Sequence, residues 1–140
     1  MDSALRDTDT ISEILRRHNP NVAKNAAQYL THHSEFAFSA ITHYEIVRGL
    51  LWRTATQKLP AYRIFAARSV ILPTSEEVFE RAAELWAEGR RTGRPHRDAD
   101  LIIAATALIQ NRTLVTGNTT HFDWIPRLAI ANWRESKRPA

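Results

Sequence analysis

The sequence predicts an α/β fold in which a central, mainly parallel sheet is covered by helices on both faces. Short apolar segments of strand character alternate with longer segments of helical periodicity, which is typical of crossover units. Apolar residues make up 44% of the 140 residues and are spread along the chain. No run of them approaches the roughly 20 residues needed to cross a bilayer. We expect one domain over residues 1–133 and a basic, mobile tail at 134–140.

Helical spacing and capping patterns define the elements of the N-terminal half. Thr10 and Glu13 have the spacing of a capping box, with Thr10 as the N-cap, and predict a helix over 10–17. Pro20 prevents that helix from continuing. Apolar periodicity predicts the other elements of this half, which are a helix over 20–32, a strand over 36–38 and an amphipathic helix over 41–54.

The C-terminal half contains a basic loop followed by a strongly apolar segment. Residues 89–97 combine two glycines, a proline and four arginines, and therefore predict a loop. Residues 101–109 are apolar on almost every side, which predicts a buried helix. The other predicted elements are a short helix opening at Pro60, a strand over 70–72, a surface helix over 75–88, and strands over 113–116 and 128–130.

Composition narrows the possible environments and partners. The absence of cysteine excludes disulfides and thiolate metal sites and fits a reducing compartment. No secretory signal pattern opens the chain, so we expect a cytoplasmic protein without a membrane segment. Lysine and arginine outnumber the acidic residues by 19 to 15. This basic balance favours polyanion binding through counterion release, or serves only to keep the protein soluble.

Three acidic residues occupy positions where ligands bind in open sheets of this class, outside the carboxyl ends of the strands. Asp7 precedes the first helix, Glu45 lies in the third helix, and Asp100 lies at the start of the buried helix. If these carboxylates converge, a hard divalent cation with oxygen ligands is the simplest way to stabilise them. The pattern predicts Mg²⁺ or Mn²⁺ acting on a phosphodiester.

Each of these acids also has a structural interpretation. Thr42 and Glu45 form a second capping-box pattern. Asp100 suits a helix N-terminus, where Asp98 is a candidate N-cap. The polar segment 7–9 is also compatible with a plain turn before Thr10. Spacing alone leaves both interpretations open.

Several motifs, in order along the chain, resemble those of PIN domains of the VapC type. Asp7, Glu45 and Asp100 fall on the acidic positions of the first three motifs. The four motifs together cover about 120 residues. They are 7–13 (DTDTISE); 39–45 (SAITHYE); 93–95 (GRP) with 100–105 (DLIIAA); and 113–119 (TLVTGNT) with Phe122 and 125–128 (IPRL).

The resemblance implies a PIN-like α/β/α sandwich and a Mg²⁺-dependent endoribonuclease in which Mn²⁺ can substitute. It implies that Asp7, Glu45 and Asp100 are the catalytic and metal-binding residues, and that the products carry 5′-phosphate and 3′-hydroxyl ends. It further implies the toxin of a type II toxin–antitoxin pair, which cleaves tRNA, rRNA or mRNA and inhibits translation. Its partners would be a VapB-like antitoxin, which covers or disrupts the acidic site, and a second copy of the chain.

Two positions depart from the family pattern. Residues 1–6 (MDSALR) are more polar than the apolar strand that the family places before its first aspartate, which puts the position of Asp7 in question. Asn118 replaces the fourth acid and adds no charge, although its amide can bond a metal-bound water or a carboxylate. We expect Asn118, Thr8 and Thr116 to support the three carboxylates, with Asp9 and Asp98 more distant.

Other polar residues provide candidate RNA contacts. Arg94 and Arg97 precede Asp100 and His121 lies near the proposed site, so each either contacts phosphate or is ordinary polar surface. Neither an H-E-x-x-H nor a G-x-S-x-G motif is present. The four tryptophans are expected to anchor the core or an interface.

Two other functions stay open. One is a catalytically weak PIN-like module that binds RNA or the antitoxin, which the missing fourth acid favours. The other is a nuclease that acts on DNA ends or flaps with similar carboxylate chemistry.

Overall fold

The predicted alternation of strands and helices is confirmed in a computed structural model, which describes residues 2–135. Its helices are α1 (Thr8–Arg16), α2 (Pro20–His32), α3 (Ala40–Trp52), α4 (Lys58–Ala67), α5 (Glu76–Arg91) and α6 (Asp98–Ile109). Its strands are β1 (Ala4–Arg6), β2 (Ala37–Ser39), β3 (Val70–Leu72), β4 (Thr113–Val115) and β5 (Ile130–Ala131), and a 3₁₀ helix spans Thr119–His121.

The five strands form one parallel sheet with the order β3-β2-β1-β4-β5. The chain moves outward from β1 through β2 to β3, and then returns to the other side of β1 to form β4 and β5. The strand order therefore reverses beside β1. Open α/β sheets bind ligands outside the carboxyl ends of their strands at such a reversal. Asp7 and Thr116 directly follow the two strands that meet there.

Helices cover both faces of the sheet, as predicted. Leu5 and Leu114 point to the face that α5 and α6 cover, where they join the largest apolar cluster. Neighbouring side chains point the opposite way because successive residues of a strand alternate between faces. On that second face, Phe38 packs with Ile11 of α1, and Val115 packs with residues of α2. No helix within residues 2–135 is long and apolar enough to span a bilayer.

The polar N-terminal segment forms a regular central strand despite its departure from the family pattern. Arg6 is completely buried, and its guanidinium carbon lies 3.9 Å from the centre of the Tyr29 ring and 4.9 Å from the rings of Phe36 and Trp133. Its Nη1 donates to the carbonyls of Ala4 and Ala37. An aromatic box therefore accommodates the cation, and Asp7 follows an ordered strand.

Three helix starts differ from the prediction. Asp7, not Thr10, caps α1, and Ser39 caps α3 by accepting from the backbone N–H of Thr42 at 3.2 Å. The α6 N-cap is Arg97, so Asp98 is the first helical residue. In each case the helix begins earlier than its apolar pattern suggests. Both predicted capping boxes, Thr10 with Glu13 and Thr42 with Glu45, are therefore wrong.

Some segment boundaries also differ. The predicted loop over 89–97 is wrong at its start, because α5 continues to Arg91 and Gly89 is buried within it. The helix predicted to open at Pro60 begins two residues earlier, at Lys58, and the last strand lies at Ile130–Ala131 instead of 128–130. Strand β5 starts later because its backbone pairs with Leu114 and Val115 of β4.

The tryptophans differ in burial, and the assignment of some of them to an interface stays a prediction. Trp133 is buried, whereas Trp52 is 88% exposed and Trp86 is 43% exposed. Trp124 is half-buried beside the C-terminal edge of the sheet. Of the predicted tail, Arg134 contacts Glu13 of α1 with an Nη2–Oε1 distance of 3.8 Å. Residues 136–140 lie outside the described residues, and the domain boundary at 133 stays a prediction.

Candidate active site

Asp7 is a buried carboxylate at the carboxyl end of the central strand, with 5% of its surface exposed. Its Oδ1 accepts from the backbone N–H of Thr10 at 2.8 Å, and its Oδ2 accepts from the Thr116 hydroxyl at 2.6 Å. Burial raises the pKa of this carboxyl, and the hydrogen bonds from Thr116 and Thr10 only partly oppose that effect. A neighbouring cation would stabilise its charged form.

Glu45 is joined to the start of α1 by the hydroxyl of Thr8. The Thr8 Oγ1 lies 2.7 Å from Glu45 Oε1 and 3.1 Å from Thr42 Oγ1. A carboxylate can only accept, so Thr8 donates its single proton to Glu45. The Glu45 side chain is 15% exposed. Because Ser39 supplies the cap of α3, Glu45 does not cap the helix and faces the residues that follow β1.

Asp100 lies in the first turn of α6, between an arginine and a histidine side chain. Its Oδ2 lies 3.8 Å from Arg97 Nε and 3.7 Å from His121 Nδ1. The Asp100 side chain is 17% exposed, whereas those of Arg97 and His121 are 79% and 55% exposed. Two of the predicted RNA-contacting residues therefore flank the predicted catalytic aspartate, and both remain open to solvent.

The predicted supporting residues Thr116 and Asn118 connect the end of β4 to α1. The Thr116 hydroxyl donates to Asp7 and accepts from the backbone N–H of Asn118 at 3.0 Å. The side-chain amide of Asn118 donates to Asp9 Oδ2 at 2.9 Å. Asn118 thus makes one of the two contacts predicted for its amide, a hydrogen bond to a nearby carboxylate. This hydrogen bond links Asp9 to the group of residues around Asp7.

Arg94 and Asp98 make no side-chain contact with the three acids among the described residues. Both side chains are exposed, and no hydrogen bond or ion pair in residues 2–135 connects either one to Asp7, Glu45 or Asp100. Arg94 contributes its backbone, which donates to the carbonyl of Gly89 at 2.7 Å.

Asp7, Glu45 and Asp100 share one end of the sheet, but they do not form a closed ion-binding cluster. Within residues 2–135, no three acidic or histidine side chains are close enough to hold one ion together. Their oxygen donors nevertheless fit the chemistry of a hard divalent ion, as does the burial of Asp7, which its hydrogen bonds offset only in part.

Sequence reasoning missed one residue that contacts Glu45 and another that is linked to Glu45 through Thr8. Arg48 Nη2 lies 3.6 Å from Glu45 Oε2, and Thr42 reaches Glu45 through Thr8. The spacing of Glu45 and Arg48 is three residues on a helix, which is a recognisable signal for an ion pair. The role of Thr42 has no comparable signal because it depends on contact between α1 and α3.

A second missed feature is an aromatic pair beside Asp100. The rings of His96 and Trp124 stack with centroids 4.5 Å apart and an angle of 12° between their planes. Burial lowers the pKa of His96, and the neighbouring His121 lowers it further. Both rings come from irregular segments, so no periodicity in the sequence indicates that they meet.

Comparison with known families agrees with this architecture. The family model described as PIN domain matches residues 4–127, a range that contains all three predicted catalytic acids. The chain belongs to the PIN-domain family. The resemblance to VapC-type PIN domains is thereby confirmed, because relatives within this family carry the name Ribonuclease VapC.

One such PIN-domain relative is Ribonuclease VapC2 of Rickettsia felis, which is 30% identical over 128 residues, 91% of this chain and 95% of the relative. A chain of the R. felis VapBC2 complex, solved bound to a DNA fragment from its promoter, superposes with a TM-score of 0.82 at 27% identity. The superposition covers 93% of this chain and 98% of the matched chain. VapBC-1 from nontypeable Haemophilus influenzae gives a TM-score of 0.82 at 25% identity, over 94% and 98%. The PIN-like fold is thus shared along nearly the whole chain.

Proposed function

We propose that this protein is a VapC-type endoribonuclease, the toxin of a VapBC-like toxin–antitoxin pair. The main supporting observation is the buried Asp7 carboxylate at the reversal of strand order, joined to the β4 end by Thr116. Glu45 and Asp100 border the same end of the sheet. The relatives named Ribonuclease VapC favour RNA as the substrate. The proposed reaction is hydrolysis of a phosphodiester in tRNA, rRNA or mRNA, which inhibits translation.

The proposed cofactor is Mg²⁺, for which Mn²⁺ can substitute, and Asp7, Glu45 and Asp100 would hold it. When bound, such an ion supplies Lewis-acid activation of water and offsets charge on the phosphate. Glu45 and Asp100 would exchange their present contacts with cationic side chains for this ion. Oxygen-only donors suit both metals.

The protein's own side chains orient the acids and bind the substrate. Thr116 fixes one oxygen of Asp7, and Thr8 fixes one oxygen of Glu45. Arg97 and His121, exposed beside Asp100, would hold the phosphates next to the bond that is cut. Arg94 lies on the same basic segment and would bind RNA farther from the cut. Asn118 would keep Asp9 in place through its amide.

The proposed protein partners are a VapB-like antitoxin and a second copy of the chain, within the cytoplasm. The R. felis and H. influenzae neighbours are VapBC complexes, which supports the antitoxin. A groove of about 420 Å³ between α1, α3 and α4 has the apolar residues Leu15, Ile46 and Leu50 in its lining and Arg53 and Lys58 beside them. An acidic, amphipathic antitoxin segment would match it in charge and polarity.

The decisive experiment is cleavage of total RNA by the purified, antitoxin-free protein with Mg²⁺, Mn²⁺ or EDTA. Asp100→Asn tests the site, and Asp98→Asn is a matched control two residues away on the same helix. We expect metal-dependent cleavage by the wild type and by Asp98→Asn, and at least a hundredfold loss in a folded Asp100→Asn protein, as for removal of one transition-state interaction of about 2.7 kcal/mol or more. Undiminished cleavage by Asp100→Asn would contradict the assignment.

A catalytically weak binding module is the second candidate, and a specific observation favours it. Arg48 lies 3.6 Å from Glu45 and Arg97 lies 3.8 Å from Asp100, so each acid already has a basic neighbour, and Asn118 replaces a fourth acid. This candidate predicts RNA or antitoxin binding that is unaffected by EDTA and by Asp100→Asn, with no cleavage. Including DNA flaps and ends in the substrate panel separates RNA cleavage from DNA nuclease activity.

A further inference from the structure

Trp124 makes two different contacts with the residues that surround Asp100. One face of its ring stacks on His96, at 4.5 Å between centroids. Its indole N–H donates to the backbone carbonyl of His121 at 2.9 Å. His96 directly precedes Arg97, and His121 is the last residue of the 3₁₀ helix. Trp124 therefore joins the two segments that carry Arg97 and His121, the side chains beside Asp100.

Close packing against α5 holds the His96 side of this connection. A Cβ added at Gly89 would lie 2.8 Å from the Arg94 carbonyl oxygen and 3.1 Å from His96 Cδ2. Such distances leave no space for a side chain, so glycine is needed for the 92–97 segment to lie against the helix. His96 Nε2 is buried without a hydrogen-bond partner among the described residues. Stacking and packing are therefore what hold the His96 ring.

The backbones of Arg97 and His121 are held by hydrogen bonds to Leu101 and Asn118, but their side chains have weaker contacts. Both side chains are more than half exposed, and each lies more than 3.5 Å from Asp100, beyond hydrogen-bond distance. Arg97 belongs to an irregular segment and His121 to a 3₁₀ helix of three residues. Displacement of about 1 Å at a reacting centre can reduce a rate about a hundredfold.

We propose that Trp124 is a positioning residue that fixes Arg97 and His121 on either side of Asp100. This proposal rests on the proposed ribonuclease function, in which these two side chains hold the substrate phosphates. Trp124 acts through its stack on His96 and its hydrogen bond to the His121 carbonyl, without contacting the reacting phosphate. The two contacts make separate contributions that substitution can distinguish.

The test compares Trp124→Leu, which removes both contacts, with Trp124→Phe, which retains a stacking ring but lacks the N–H donor. Trp86→Leu is the control because it removes an exposed tryptophan from α5. We expect cleavage with Mg²⁺ to fall about 10- to 100-fold in Trp124→Leu, with Trp124→Phe intermediate. Trp86→Leu should stay within about twofold of the wild type. Thermal unfolding verifies that every variant is folded.

Two further readouts separate positioning from a general loss of stability. The salt dependence of RNA binding in EDTA should weaken in Trp124→Leu, by about 0.7 in slope for each phosphate that the protein no longer neutralises. In a His121→Ala background the effect of Trp124→Leu on cleavage should shrink, because one of the two residues that it positions is already gone. Fully additive effects, or wild-type cleavage by folded Trp124→Leu, would overturn the proposal.

The proposal can fail separately from the proposed function. If the wild type cleaves no RNA, the ribonuclease assignment fails, and NMR then decides the positioning role. The backbone amide signals of Arg97, Asp100 and His121 should shift together in Trp124→Leu but not in Trp86→Leu. Unchanged signals would show that Trp124 does not fix these residues.

Discussion

Asp7 performs two tasks with one carboxylate, which ties helix formation to the site. Its Oδ1 caps α1 through the Thr10 N–H, and its Oδ2 is held by Thr116. Burial makes the ionised form of this group less favourable than in water, as its raised pKa indicates. Charge at this position therefore opposes folding and serves the proposed chemistry.

At the residue scale we predict that Asp7→Asn raises the unfolding temperature in EDTA by a few degrees at neutral pH. Asparagine retains an oxygen that can cap α1 and carries no charge to be buried. The folded-state pKa of Asp7 lies above the ordinary value of 3.8. The stabilisation that the protonated Asp7 side chain gives the fold is therefore complete below pH 3.8 and is lost as pH rises through the folded-state pKa.

The increase in unfolding temperature caused by Asp7→Asn should therefore grow with pH from about 4 towards neutrality and disappear in acid. Thermal melts at several pH values measure this dependence. Cleavage activity should be lost at the same time. A less stable Asp7→Asn protein at neutral pH would show that hydrogen bonding to the charged carboxylate outweighs its burial.

At the element scale, the start of α3 decides how Glu45 is interpreted. Thr42 and Glu45 have capping-box spacing, yet the cap lies three residues earlier at Ser39. Ser39 ends β2 and begins α3 without an intervening loop. Local sequence does not show whether Ser39 or Thr42 is the N-cap of α3, because the answer depends on where β2 ends.

We predict that Ser39→Ala lowers the free energy of unfolding by about 1 kcal/mol, the usual contribution of a helix N-cap. Glu45→Gln should leave stability within about 0.5 kcal/mol, because it removes neither the cap nor a buried apolar contact. Chemical denaturation of both variants measures this difference. A larger loss in Glu45→Gln than in Ser39→Ala would restore the capping-box interpretation.

The elements predicted from sequence are those with strong local periodicity. The range of α2 is as predicted, and the apolar core of α6 is evident in the sequence because its residues face inward on nearly every side. Strand β1 has no such signal because Arg6 is polar. Only tertiary structure brings together the rings of Tyr29, Phe36 and Trp133 that enclose it, so its burial could not be inferred from neighbouring residues.

The same distinction applies to the candidate site. Asp7, Glu45 and Asp100 could be selected from motif order, and the structure places all three at one end of the sheet. The contacts that orient them involve hydroxyls and amides from distant segments, such as Thr8 with Glu45 and Asn118 with Asp9. Such contacts depend on packing between helices, for which one sequence contains no periodic signal.

At the scale of the whole molecule, the three proposed metal ligands come from separate elements, since Asp7 follows β1, Glu45 lies in α3 and Asp100 lies in α6. An ion that binds all three should therefore stabilise the folded chain. We predict that Mg²⁺ raises the unfolding temperature of the wild type by about 4 °C when its concentration is tenfold above Kd. Asp100→Asn should show a much smaller shift, and Asp98→Asn should match the wild type. Scanning fluorimetry with Mg²⁺ or Mn²⁺ measures the shift, and equal shifts in all three proteins would argue against the assigned ligands.

The order of the strands also has a consequence for synthesis of the chain on the ribosome. Central strand β1 is made first, but it pairs with β4, whose residues follow more than a hundred positions later. Thr116, which orients Asp7, comes later still. A growing polypeptide consequently cannot complete this end of the sheet until β4 and Thr116 have emerged, so Asp7 acquires its orientation late in synthesis.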